Sequence, residues 1–196
     1  MGVVLSRSAL VDIREQWRNE GSTVVFTNGC FDLLHPGHVR LLEAASTYAD
    51  KLVVAVNSDA SVRDLKGPTR PVIAENERAT TLASLAAVDA VTIFGEETPC
   101  ELLEVLLPDV LVKGADWSHW IAGREIVEAA GGQVFPIPVE PGYSTTDVVK
   151  NILEIHSVGH TRFYEIISTA WGGIRRSSNC WPRCVAPSPR RSISRG

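Results

Sequence analysis

Two histidines, His35 and His38, flank a Pro36-Gly37 pair and form a His-x-Gly-His pattern. Imidazole nitrogens can donate hydrogen bonds to phosphate oxygens, more strongly as charge builds during displacement at phosphorus. With 5 His and 15 Gly in 196 residues, such a pattern arises by chance about 1% of the time over a chain of this length. Its placement adds to the signal, because both rings fall where a helix is expected to begin. There, unpaired backbone N–H groups and the macrodipole favour an anion, and Gly37 lets a phosphate approach the main chain. The chemistry predicted is polyphosphate binding; the alternative is a pair of rings that only cap a helix.

The elements that must hold these rings are legible as apolar periodicity. Val24 to Asn28 is a β-branched and aromatic run that stops at Gly29, the pattern of a buried strand closed by a turn. From Pro36 onward Val39, Leu42, Ala45 and Ala49 recur at near-helical spacing, and Pro36 suits a first helical turn. Leu52 to Val56 reads as a second buried strand, so the three elements form a right-handed crossover unit of a parallel sheet. The same signals predict a helix over Glu75 to Ala87, a strand over Ala90 to Phe94 and a helix over Cys100 to Leu107. A strand over Val110 to Lys113, a helix over Ile121 to Ala130 and a strand over Val134 to Ile137 follow. A closing helix over Ser144 to His156 takes Ser144 or Thr145 as its N-cap. The predicted fold is α/β, a doubly wound parallel sheet in a Rossmann-like sandwich, with ligands at the carboxyl ends of the strands.

Composition bounds the rest. Apolar residues make up 44% and charged residues 21% of the chain, enough for a sizeable core. No run approaches the ~18 apolar residues of a membrane span, and no secretory signal is visible. Four cysteines, at positions 30, 100, 180 and 184, are too few for a disulfide framework, which predicts a cytoplasmic setting. Cys180 and Cys184 lack the spacing and histidine partners of a zinc site. Residues 1–156 form the predicted catalytic domain. Residues 157–196 hold seven Arg and one acid among Gly, Ser and Pro, and read as a basic, poorly ordered tail rather than a nucleic-acid contact. A nicotinamide-binding Rossmann protein is excluded, because Gly-x-Gly-x-x-Gly is absent after the first strand.

The stretch Gly29-Cys30-Phe31-Asp32-Leu33-Leu34-His35-Pro36-Gly37-His38 resembles the signature of the cytidylyltransferase-like nucleotidyltransferases. Asn57-Ser58-Asp59, Leu65-Lys66-Gly67 with Arg70-Pro71, Glu77-Arg78-Ala79, Lys113-Gly114-Ala115-Asp116-Trp117 and Ser144-Thr145-Thr146 are similar to the D-glycero-β-D-manno-heptose 1-phosphate adenylyltransferase branch. The resemblance spans about residues 22–155. It implies AMP transfer from ATP to a heptose 1-phosphate, giving ADP-heptose and pyrophosphate. His35, His38 and Lys66 would be catalytic, the last as a loop cation over the phosphates or else a solvated surface lysine. Thr27, Asn28, Gly29, Phe31, Gly37, Lys113, Gly114, Asp116, Ser144, Thr145 and Thr146 would bind the nucleotide. Asp32, Arg70 and Arg78 would face the acceptor, although Asp32 could instead order its turn and Arg78 could pair with an acid.

Magnesium is expected to arrive mainly on the nucleotide phosphates, with no dedicated protein ligands. The resemblance further implies a homodimer and a separate heptose kinase acting upstream. A glycerol 3-phosphate cytidylyltransferase or related enzyme would use the same mechanism. However, Val139 stands where some CTP-using relatives carry Arg. A reading of another class is a nucleotide-binding interaction module with a basic tail.

Overall fold

The computed structural model describes residues 1–114, 120–138 and 142–155. The chain divides into two compact units, Met1–Asn151 and Ile152–Gly196; of the second, residues 152–155 are described, and they are helical and exposed. The tail from residue 156, with its arginines, Cys180 and Cys184, lies outside the described residues.

The first unit is built on six strands: β1 (Val3–Val4), β2 (Val24–Gly29), β3 (Lys51–Asn57), β4 (Ala90–Phe94), β5 (Val110–Gly114) and β6 (Gln133–Ile137). They pair in parallel in the order β1-β4-β3-β2-β5-β6. Between them run α1 (Arg7–Asn19), α2 (Pro36–Ser46), α3 (Asp59–Lys66), α4 (Glu75–Ala83), α5 (Cys100–Leu106) and α6 (Arg124–Ala129). Residues 145–151 are helical as well.

Helices cover both faces of the sheet, which is why its inner strands are apolar at nearly every position. Val25, Val54, Val91 and Val112 pack with Leu42 and Ala45 of α2 and Ala79 and Leu82 of α4 on one face. On the other, Val24, Phe26, Val53, Ala55 and Leu111 pack with Leu10 and Trp17 of α1, Leu102, Leu103 and Leu106 of α5 and Val127 of α6. The doubly wound parallel architecture is therefore as the sequence predicts. From β2 the chain steps outward through β3 and β4, then crosses back to β5 and β6 on β2's other side. The carboxyl ends of β2 and β5 thus flank the topological switch point, where such sheets leave a crevice.

Three differences from the sequence reading have local causes. Strand β1 and helix α1 precede the first predicted strand. Here β1 is a two-residue edge, too short for periodicity, whereas α1 carries Ser6 as a side-chain N-cap and buries Leu10, Arg14 and Trp17. The predicted helix over Ile121 to Ala130 begins only at Arg124, because Gly123 takes a left-handed φ of 85°. The helix from Glu75 ends at Ala83 rather than Ala87, and the chain turns at 84–87 to enter β4.

Helix α1 locks the switch-point strands from behind. Arg14, 3% exposed, donates to the Leu106 and Leu107 carbonyls at 3.4 and 3.1 Å and to Asp109 at 2.9 Å. Asp109 accepts in turn from the Val24 N–H at 2.7 Å, so one buried guanidinium ties α1, the end of α5 and the start of β2. Arg7 pairs with Glu96 in the loop after β4, fixing another segment beside the crevice.

Candidate active site

The loop leaving β2 is shaped by two backbone requirements. Phe31 has a φ of 45°, a left-handed conformation that costs an aromatic residue about 1–3 kcal/mol and is retained where surrounding structure enforces it. Its ring lies over Gly29, where any Cβ would come within 3.1 Å of it. The turn swings the chain into α2, whose N-cap is His35 in extended conformation with Pro36 in the first helical position. His35 Nδ1 accepts from the His38 N–H at 3.3 Å, and the His35 carbonyl accepts from the N–H of both His38 and Val39. Pro36 has no N–H. Of the first four helical positions, only the Gly37 N–H is then left for a ligand. Helix-end amides alone make a small anion site here, and the rings must supply the rest.

Those rings are stacked, with centroids 3.7 Å apart and planes 18° from parallel. Phe31 meets His38 edge-on at 5.3 Å. Tyr143 lies nearly parallel to His35 at 6.3 Å, with the Arg40 guanidinium 5.6 Å from its ring centre. Because His35 accepts at Nδ1, its proton resides on Nε2, which makes that nitrogen a hydrogen-bond donor. Burial, followed by the nearby His35 and the charge of Lys66, pushes His38 down from 6.5 to about 4. Burial lowers His35 too, against a backbone hydrogen bond that raises it. His38 is thus a neutral donor at neutral pH.

That depression carries a stability consequence of definite sign. Between the ordinary value of 6.5 and about 4, the unfolded chain takes up a proton that folded His38 refuses, so stability falls as pH falls through this window. His38→Gln, which does not titrate, is expected to remove about 2 kcal/mol of the acid destabilisation, the ring's partial exposure being discounted. Urea unfolding of both proteins across the window checks this. An identical acid slope in the two would contradict it.

A cavity of about 550 Å³ opens at the switch point. Thr27, Asn28, Gly29, Phe31, Asp32, His35, Gly37, His38, Lys66, Lys113, Gly114, Ser144, Thr145 and Thr146, all singled out by the sequence, line it together. Lys113 Nζ spans the switch point, donating to the Asn28 carbonyl and Oδ1 at 2.8 and 2.9 Å. Ser144 caps the helix at 145–151, its Oγ accepting from the Asp147 N–H at 3.2 Å, and the Thr145 hydroxyl reaches the Leu33 carbonyl at 3.5 Å. Two wall atoms, Thr27 Oγ1 and His38 Nδ1, are buried without a hydrogen-bond partner. Such atoms cost free energy until an acceptor, donor or water reaches them. Asp116 and Trp117 lie outside the described residues.

Arg70 and Arg78, expected to face the acceptor, are not among the residues that line this cavity, and their side chains are engaged elsewhere. The Arg78 side chain is fully buried and pairs with Asp59 at 2.7 Å. It also donates to the carbonyls of Ile73, Cys30 and Asn57. Arg70 Nε donates to Asp32 at 2.5 Å. Asp32 reaches the cavity wall, yet its carboxylate is committed to Arg70 and to the Val72 and Ile73 N–H groups at 2.7 and 3.1 Å. These bonds let Asp32 order the loop that carries Arg70, Val72 and Ile73. Sequence reasoning gave no site role to Asn57, Glu97 to Pro99, Trp120 to Ala122 and Tyr143, which also line the wall, as do Cys30, Leu41 and Leu65. The first four come from separate segments outside the histidine motif; Asn57 opens the Asn57-Ser58-Asp59 segment and Tyr143 adjoins Ser144-Thr145-Thr146, but neither carried a site role in the sequence reading.

Residues 26–151, which contain most of β2, all of β3 through β6 and this whole cavity, match the cytidylyltransferase-like family model. The chain belongs to the cytidylyltransferase-like family. Among curated proteins it is similar to the bifunctional protein HldE of Koribacter versatilis, at 52% identity over 148 residues, covering 75% of this chain and 30% of that protein. The HldE of Acidiphilium cryptum is 54% identical over 150 residues, covering 76% and 31%. The chain thus spans about a third of the length of these relatives. Among solved structures, the lipopolysaccharide core biosynthesis protein of Thermoplasma volcanium matches with a TM-score of 0.52 and 26% identity, over 61% of this chain and 98% of that one. The family's nucleotidyltransferase fold agrees with the parallel sheet.

Two further properties follow from the described residues. No helix among them is long and apolar enough to cross a membrane. No group of three or more His, Cys, Asp or Glu among them could hold a metal ion, and the carboxylate of Asp32 is already engaged. These residues do not fit a protein-held magnesium site.

Proposed function

We propose that this domain transfers AMP from ATP to D-glycero-β-D-manno-heptose 1-phosphate, releasing pyrophosphate and ADP-heptose. The observation that carries the reading is the stacked His35–His38 pair at the start of α2, set in a cavity at the switch point that also holds Lys66 and the Ser144-Thr145-Thr146 segment. In this reading a phosphate oxygen of the sugar ester attacks the α-phosphorus in line. The new P–O bond forms as the bond to the β-phosphate's bridging oxygen breaks, and pyrophosphate departs with that electron pair. No covalent enzyme intermediate is needed, so positioning and charge stabilisation carry the rate.

The neutral rings act as hydrogen-bond donors to phosphate oxygens and gain strength as charge grows in the transition state. Neutrality lets two rings stack at 3.7 Å without mutual repulsion before the nucleotide binds. Magnesium, in the same reading, enters with the triphosphate rather than on protein ligands. A homodimer and a kinase reaction that furnishes the sugar 1-phosphate belong to the same reading. Support for the heptose branch comes from the ordered motifs and from identity of about half the residues with HldE proteins.

Pyrophosphate release, followed with ATP or CTP against the heptose 1-phosphate or glycerol 3-phosphate, is the test. ATP with the heptose ester is expected to give the highest kcat/KM, by about tenfold or more, since a cavity built to hydrogen-bond its substrate discriminates strongly. Release from CTP with glycerol 3-phosphate alone would transfer the assignment to that enzyme. No release from any pair would leave a binding module.

A further inference from the structure

Lys66 is the last residue of α3, and its exposed side chain borders the same cavity as the histidines. Directly after it the chain reverses at Gly67, whose φ of 92° and ψ of 168° suit glycine alone. The Arg70 N–H closes this turn on the Gly67 carbonyl at 3.1 Å. The next residues are gripped by one carboxylate: Asp32 accepts from Arg70 Nε at 2.5 Å, the Val72 N–H at 2.7 Å and the Ile73 N–H at 3.1 Å. The Asp32 side chain is wholly buried, and it lies three positions before His35. A second bridge joins the same two segments, because Arg78 donates to both the Cys30 and Ile73 carbonyls.

An exposed lysine that must hold its ammonium beside a polyphosphate gives up rotamer freedom and, where its segment is loose, backbone freedom as well. Fixing the backbone at its root cuts that cost, as preorganisation does in any binding site. A bare carboxylate in the cavity wall would repel the same polyphosphate, but here Arg70 and two amides neutralise it.

We infer that Asp32 is a positioning residue: through its clasp on Arg70, Val72 and Ile73 it sets where Lys66 meets the phosphates held by His35 and His38. The inference rests on the proposed nucleotidyl transfer only where it concerns phosphates. That Lys66 shares the cavity wall with His38 and that its charge lowers that ring's pKa are properties of the free protein. Asp32→Asn keeps size and one acceptor oxygen but turns an amide toward the Arg70 N–H, breaking the charged arm of the clasp. Arg70→Met breaks the same arm from the other side and serves if the first variant folds poorly.

The test is a double-mutant cycle with Lys66→Ala, read in two ways. In turnover, Lys66→Ala is expected to lower kcat about 30-fold in the native background and no more than about 3-fold beside Asp32→Asn. The acceptor KM of Asp32→Asn should stay within about twofold. In the ligand-free protein, NMR titration of His38 should show Lys66→Ala raising its pKa in the native background and leaving it unchanged beside Asp32→Asn. A full Lys66→Ala effect on both readouts in the Asp32→Asn background would overturn the inference, as would a tenfold rise in acceptor KM. If no nucleotide turns over at all, the functional reading fails, while the titration still decides the placement of Lys66.

Discussion

Replacing both His35 and His38 with alanine is expected to lower kcat by about 10³–10⁴-fold, with each single replacement costing about 10²–10³-fold. The double loss should fall short of the product of the singles, because rings stacked at 3.7 Å act as one donor surface. His35 also has a separable structural duty, since its Nδ1 accepts the His38 N–H at the start of α2. His35→Ala should therefore cost about 1 kcal/mol of stability as a lost cap, and His35→Asn should restore most of that without restoring turnover. Steady-state pyrophosphate release and urea unfolding on the same variants separate the two duties. A His35→Asn protein with native kcat would mean that the ring only caps the helix.

The largest stability effect is expected at Arg78. Its guanidinium has no exposed surface and serves Asp59 together with the carbonyls of Ile73, Cys30 and Asn57. These acceptors come from the ends of β2 and β3, the first residue of α3 and the loop before α4, so one planar fork joins the segments around the cavity. Arg78→Met fills a similar volume but strands a carboxylate and three carbonyls, and is expected to cost about 3–5 kcal/mol. Arg78→Lys should recover less than half, because a single ammonium cannot reach acceptors spread across a fork. Urea midpoints at constant m-value measure both; a loss under about 1 kcal/mol for Arg78→Met would contradict the buried network.

These two predictions mark where sequence reading reached and where it stopped. The histidine motif was legible because its residue types are chemically distinctive and close in sequence, and five strands were legible because β-branched runs in a doubly covered sheet are nearly unbroken. Arg78 could be singled out but not placed, since an arginine's burial depends on acceptors brought from distant segments. The same holds for the Asp32–Arg70 clasp, whose partners are separated by 38 residues. Tyr143 and the Glu97 to Pro99 turn enter the cavity wall through loop conformation, for which the sequence carries no periodic signal. Helix α1 is a different case: Leu10, Ile13 and Trp17 recur at helical spacing after the Ser6 cap, so its signal is local and present in the sequence.

The central claim is that neutral imidazoles of His35 and His38 donate to nucleotide phosphates at the mouth of the switch point. Imidazole nitrogen NMR on the whole protein, with and without ATP, tests it most directly. The account predicts neutral rings in the free protein, with His35 protonated on Nε2, and resonances of these two rings that shift on adding ATP. ATP binding that leaves both rings unmoved, or free-protein rings already charged at neutral pH, would contradict it.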